Sequence, residues 1–150
     1  MSDDSEKDLD KGFSEEREGW TGKIRGLSVR MNNIREIADV QVELFSERQR
    51  LLEYTYQLGA ILTKLNKKFR KDKSDRMRHY SEQTQIRYGA NEKTPLIDGD
   101  LTEIKSRVEV VDNQISFLNE TVKTIDHMLY GIRQRIILEE YIRGGSLRKE

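Results

Sequence analysis

The sequence predicts an all-α protein: a long two-helix antiparallel hairpin that assembles into a helical, coiled-coil-like homo-oligomer. Three observations carry that expectation. Leu44, Leu51, Leu58 and Leu65 recur every seven residues in a stretch free of proline. Eleven apolar residues (Leu101, Ile104, Val108, Val111, Ile115, Leu118, Val122, Ile125, Leu129, Ile132 and Ile136) alternate steps of three and four, the spacing of a coiled-coil seam. The single proline, Pro95, falls between the two patterns.

The chain opens on charge. Residues 1–20 hold eight acidic and three basic side chains, a net −5. With its serines and glycines, this stretch predicts a disordered acidic tail over 1–22, ahead of a helical domain over 23–150. Ile24, Leu27, Val29, Met31, Ile34 and Ile37 point to a short helix or a packed arm over 24–38.

The first long helix is predicted over 39–86, interrupted by one glycine, Gly59. At 100° per residue its four spaced leucines, with Leu62 and Phe69, fall within an arc of about 40°, a narrow apolar stripe. "YGANEKTPLIDG", Tyr88 to Gly99, reads as the hairpin turn. Asp100 and Glu103 have the spacing of a capping box for the second helix, and Gly144-Gly145 after Arg143 reads as its end. Helices of this length span about 65–70 Å, and a two-helix hairpin cannot enclose its own seam. The expectation is therefore an obligate oligomer, held through Ile115, Leu118, Val122, Ile125, Leu129, Ile132 and Ile136.

Composition narrows the chemistry. Charged residues make up 36% and apolar residues 35%, which suits long helices better than a large globular core. The absence of cysteine excludes disulfides, thiolate metal sites and cysteine nucleophiles. His79 and His127 stand apart from any metal-ligand pattern and read as ordinary helix positions. "LEEYI" (Leu138–Ile142) has paired glutamates but no histidine partner, and there is no Gly-rich phosphate loop. Neither an enzyme nor a bound cofactor or metal is expected. No apolar run reaches the length of a membrane span, and Met1–Asp10 is unlike a signal peptide, so a soluble intracellular protein is expected.

Against this neutral background stands "KLNKKFRKDKSDRMRHYSEQTQIRYG", Lys64 to Gly89. Its nine basic residues (Lys64, Lys67, Lys68, Arg70, Lys71, Lys73, Arg76, Arg78 and Arg87) face three acidic ones, a net +6. The bland account is a solvated helix face. Two features argue otherwise. Of the i,i+4 pairs that start at Lys64, Lys67, Lys68 and Lys71, the first two set lysine against lysine. Beyond Phe69, Lys73 and Arg76 take the directions that Leu62 and Leu58 filled earlier. Tyr80 and Tyr88, with His79, are interleaved with the arginines, which suits single-stranded nucleic acid: aromatic planes stack on bases while cations meet phosphates. No zinc-finger, helix-turn-helix or RNA-recognition motif is present, so base-specific readout is not expected. A flexible acidic leader tethered near this stretch can compete with phosphates, or serve only to solubilise.

The order "LFSERQ", "KKFRKDKSDRMRHYS" and "LNETVKTIDHMLYGIRQRIILEEYIRGG" resembles the UvsY family of recombination mediators of tailed phages, over residues 39–145. The resemblance implies single-stranded DNA binding, a ring-like helical oligomer, and loading of a RecA-type recombinase onto DNA coated by single-strand DNA-binding protein in the cytoplasm of the bacterial host. The family's binding motif, a basic-apolar segment followed by two aromatics and a serine, falls on "KSDRMRHYS". Arg76, Met77, Tyr80 and Ser81 match it, whereas Ser74 stands where a lysine is common and His79 replaces the first aromatic. A coiled-coil scaffold or adaptor without DNA binding is the alternative.

Overall fold

The computed structural model describes residues 2–83 and 87–147. Four α-helices follow one another: α1 (Ser2–Arg30), α2 (Ile37–Arg78), α3 (Ala90–Asp100) and α4 (Thr102–Leu147). A 3-10 turn, Ile34–Glu36, leads into α2, and a π-helical turn, His79–Gln83, follows it. No strand occurs among the described residues, so the protein is all-α. No described helix is long and apolar enough to cross a membrane. The end expected for the first long helix, at residues 84–86, lies outside the described residues.

The chain divides into two compact units. One comprises Met1–Ser14 with Tyr56–Ser116, the other Glu15–Thr55 with Phe117–Glu150.

The second unit draws on α1, α2 and α4. Ile24 and Leu27 of α1, Ile37, Val40, Leu44 and Leu51 of α2, and Leu118, Val122, Ile125 and Ile132 of α4 are its buried apolar side chains. Full burial of a Leu or Ile contributes about 1.5–3 kcal/mol, so this set supplies most of the unit's driving force. Polar ties fix the helices in register. Arg48 Nε pairs with Asp126 at 2.7 Å, and the Tyr54 hydroxyl donates to Glu16 at 2.5 Å. Arg135 of α4 donates to the carbonyls of Met31 (2.7 Å) and Asn32 (3.2 Å), satisfying backbone acceptors where α1 ends. Arg30 grips Glu43 through two bonds of 2.9 Å, which holds its guanidinium pKa above the ordinary value. Asn33 caps the 3-10 turn by accepting from the Arg35 backbone N–H at 3.1 Å. Glu47 is the exception to good pairing: it is 5% exposed, meets Lys23 and Arg50, and leaves Oε2 without a partner.

The first unit is more polar. Ile97, Leu101 and Ile104 form a small buried cluster against which Phe69 and Tyr80 pack, and Phe13, Leu58 and Val111 are buried elsewhere in the unit.

Four sequence expectations are corrected here. Residues 1–22 are not a disordered tail, because Ser2 onward is helical and continuous with the 24–38 arm as far as Arg30. Phe13, Ile24 and Leu27 lie on one helical face and are all buried, an apolar contribution that the acidic composition masks. The hairpin turn at 88–99 is largely a helix. Gly89 adopts an extended conformation ahead of α3, Glu92 accepts from its N–H at 3.1 Å, and Pro95 lies within the helix. Ile97, Leu101 and Ile104, spaced i, i+4, i+7 just beyond Pro95, are buried together, and that burial outweighs the breaker.

The capping box at Asp100 is also absent. Leu101 N–H donates to Ile97 O at 3.1 Å and Leu101 O accepts from Lys105 at 3.0 Å, so α3 passes to α4 almost without a break and Asp100 is no N-cap. Finally, Gly144-Gly145 does not stop α4, which runs to Leu147 with no glycine at positive φ.

The expected oligomer seam is largely used within the chain. Leu118, Val122, Ile125 and Ile132 are buried, Ile115 and Leu129 half-buried, and Ile136 38% exposed. The reason is α1, the third helix that the two-helix expectation lacked.

Candidate nucleic-acid interface

The basic stretch occupies the C-terminal half of α2 and the residues beyond it, all in the first unit. Lys64, Lys67, Lys68, Arg70, Lys71, Lys73, Arg76, Arg78 and Arg87 are all exposed. Arg76 approaches Asp100 at 3.8 Å, and Arg70 donates to the Asn66 carbonyl at 3.4 Å. Among the described residues, no ion pair ties Lys64, Lys67, Lys68, Lys71, Lys73, Arg78 or Arg87 to a carboxylate. The i,i+4 pairs that the sequence offers, Lys68 with Asp72 and Lys71 with Asp75, are not made.

Asp72, Asp75, Arg76, His79, Asp100 and Leu101 line a cleft of about 370 Å³. Three carboxylates there disfavour phosphate. Around the helix axis Lys64, Lys67, Lys68, Lys71 and Arg78 share an arc of about 100°, within which Asp75 also falls. Lys68 sits at the border, lining a smaller cleft of about 120 Å³ with Leu65, Asp72, Glu103 and Arg107 among others.

The aromatic residues form a cluster. The Tyr80 ring lies 5.2 Å from His79 and 5.6 Å from Tyr88, both edge-to-face. The Tyr80 hydroxyl donates to Asp100 Oδ2 at 2.7 Å, the main reason its pKa stands above the ordinary tyrosine value; burial adds to it. Tyr80 is half-buried and packs on the Ile97–Leu101–Ile104 cluster. Its geometry is that of a packing residue which positions its neighbours, and the half-buried Tyr88 beside it presents an aromatic ring next to the exposed Arg87.

Sequence inspection passed over three further cations of this unit. Lys93 donates to Ser81 Oγ at 3.2 Å, Lys105 pairs with Asp98 at 3.2 Å and lies 5.9 Å from the Phe69 ring, and Arg107 pairs with Glu103 at 3.0 Å. They are remote from the basic stretch in sequence, and only the packing of α3 and α4 in this unit brings them together with it. Unlike the α2 lysines, Lys105 and Arg107 are neutralised locally. Among the described residues, no group of His, Cys, Asp and Glu is placed to hold a metal ion.

Comparison of the chain with protein-family models, curated proteins and solved structures finds no match.

Proposed function

We propose that the protein is a single-stranded DNA-binding recombination mediator, acting in the host cytoplasm to help load a RecA-type recombinase onto DNA coated by single-strand DNA-binding protein. The observation that supports DNA binding is the row of exposed lysines on α2 with no carboxylate partner. Like-charge neighbours at i,i+4 cost a few tenths of a kcal/mol each, and phosphate relieves that repulsion. The mediator role rests on the UvsY resemblance. In this reading α2 and α4 are the arms of an antiparallel hairpin, and the half-used seam positions Ile115, Leu129 and Ile136 join copies into a homo-oligomer. No catalytic step is assigned to the chain.

A coiled-coil scaffold without DNA binding is the second reading. It is favoured by the apolar residues exposed near the end of α4: Ile137 (49%), Leu138 (57%), Tyr141 (79%) and Ile142 (56%). Fluorescence anisotropy with a labelled oligothymidylate and a matched duplex, across a salt series, separates the two. The mediator reading expects tighter binding to the single strand, weakening steeply with salt. Absence of binding at 50 mM salt would leave the scaffold.

A further inference from the structure

The N-terminal part of α1 shares a compact unit with the basic stretch. Phe13 is its buried apolar anchor at 6% exposure, and Leu9 is half-buried. Arg107 Nη2 donates to Ser5 Oγ at 2.9 Å. That same arginine lines the small cleft with Lys68, so a single side chain separates Ser5 from the basic edge of α2. Asp4, Asp8 and Asp10 are exposed and Glu6 is half-buried around that contact. A neutral hydroxyl is a weaker partner for a guanidinium than a phosphate, which forms charge-assisted, bidentate bonds.

The helix itself is weak. At Gly12, Gly19, Gly22 and Gly26 nothing lies within 4 Å of the place where a Cβ would stand. Each glycine lowers helix stability relative to alanine and gains no close packing in return.

We infer that residues 2–14 are a displaceable acidic arm: docked, the arm competes with a polyanion for the basic stretch, and a bound polyanion drives it off. The inference rests on the polyanion-binding reading above and adds its regulation. By linkage, the docked arm weakens polyanion binding by the same factor by which a bound polyanion weakens docking.

Three variants of the full chain, titrated with a labelled oligothymidylate, test it. In the first, Asp4→Asn, Glu6→Gln, Asp8→Asn and Asp10→Asn remove the charge. Long-range attraction between these charges and the basic stretch is screened by salt, so the expected tightening is roughly three- to tenfold at 50 mM salt and vanishes near 1 M. The second, Phe13→Ala, undocks the arm without altering charge and is also expected to tighten binding. The third, Gly12→Ala, strengthens the arm and is expected to weaken binding by roughly two- to fivefold. Hydrogen exchange of residues 4–14 is expected to speed up at saturating oligonucleotide. Equal affinity of wild type and the four-acid variant at every salt concentration overturns the arm while leaving DNA binding intact, as does unchanged exchange on binding. Absence of binding by every form, the four-acid variant included, sinks both readings.

Discussion

Replacing Ile125 by alanine separates the intramolecular use of the α4 seam from its use between copies. Ile125 is 0% exposed, and Leu118 (0%), Ile132 (1%), Leu44 (0%) and Leu51 (0%) are buried in the same unit. A site so enclosed cannot collapse fully around the missing carbons, so the lost transfer energy and the cavity together cost about 2–5 kcal/mol. With a urea dependence of about 1–3 kcal/mol per molar, the unfolding midpoint falls by roughly 1–2 M or more. Ile137, 49% exposed on the same helix, is the control, and its change to alanine shifts stability by about 0.5 kcal/mol or less. Far-UV circular dichroism in urea, at two protein concentrations a hundredfold apart, reads both effects. A midpoint that rises with concentration in wild type and loses that rise in the Ile137 variant assigns the outer face of α4 to association. Equal midpoints for the Ile125 and Ile137 variants would refute the assignment of Ile125 to the interior.

The remaining predictions concern charge and polar ties. Glu47→Leu is expected to leave stability unchanged or raise it. Its Oε2 is buried and unpaired, and Lys23, at 46% side-chain exposure, can return to water; a drop of several kcal/mol in urea unfolding would show the ion pair to be net stabilising. Arg135→Ala strips two bonds from the carbonyls of Met31 and Asn32 and is expected to speed amide exchange at the α1–α2 connection, with far-UV helicity almost unchanged. Tyr54 is raised above the ordinary tyrosine range by burial and by its bond to Glu16, and Tyr80 chiefly by its bond to Asp100. A raised hydroxyl pKa contributes stability that is complete below the unfolded value near 10 and is lost as pH climbs through the folded value. Alkaline titration at 295 nm should therefore show part of the six tyrosines ionising late, and Tyr54→Phe should remove one of those late protons. Within the proposed function, each of Lys64→Ala, Lys67→Ala and Lys71→Ala should reduce the slope of log affinity against log salt by about 0.7, and an unchanged slope for all three would place the phosphates elsewhere.

The helices were legible where apolar spacing was unbroken. Leu44, Leu51 and Leu58 were placed on one face, and all three are buried. The stripe from Leu101 to Ile136 is helical as spaced, although its partners are mainly the chain's own helices. Two elements were hidden by composition. In α1, three buried apolar residues are diluted by eight acids and by glycines, so charge density outvoted a sparse helical face. In α3, Pro95 and two flanking glycines signalled a turn, and the contacts of Ile97 and Leu101 with Phe69 and Tyr80 overrode it. At the candidate interface, the basic residues were visible as a charge run. That Asp72 and Asp75 line a cleft with Asp100 instead of pairing with Lys68 and Lys71 depends on α3 packing beside α2, which local spacing does not encode.

That division of α2 bears on why so lopsided a helix is tolerated at all. Its N-terminal half buries Val40, Leu44 and Leu51, and farther along Phe69 is held by the Ile97–Leu101–Ile104 cluster, so anchors flank the lysines. Repulsion among Lys64, Lys67, Lys68 and Lys71 amounts to about 1 kcal/mol at most, at a few tenths per pair. One fully buried leucine offsets that sum. The helix therefore does not need acidic partners for those lysines in order to fold, and the lysines, exposed and without an ion pair among the described residues, stay open to a ligand. Were the stretch only a solubilising face, interspersed glutamates would serve equally well and remove the repulsion. Changing Lys64 and Lys67 together to glutamate puts this to a test of opposite signs: thermal stability should rise slightly, because each new carboxylate stands four residues before a lysine, Lys68 or Lys71, while oligonucleotide affinity at 50 mM salt should fall by at least tenfold. A variant that gains stability and keeps its affinity would return the basic edge of α2 to an ordinary solvated surface.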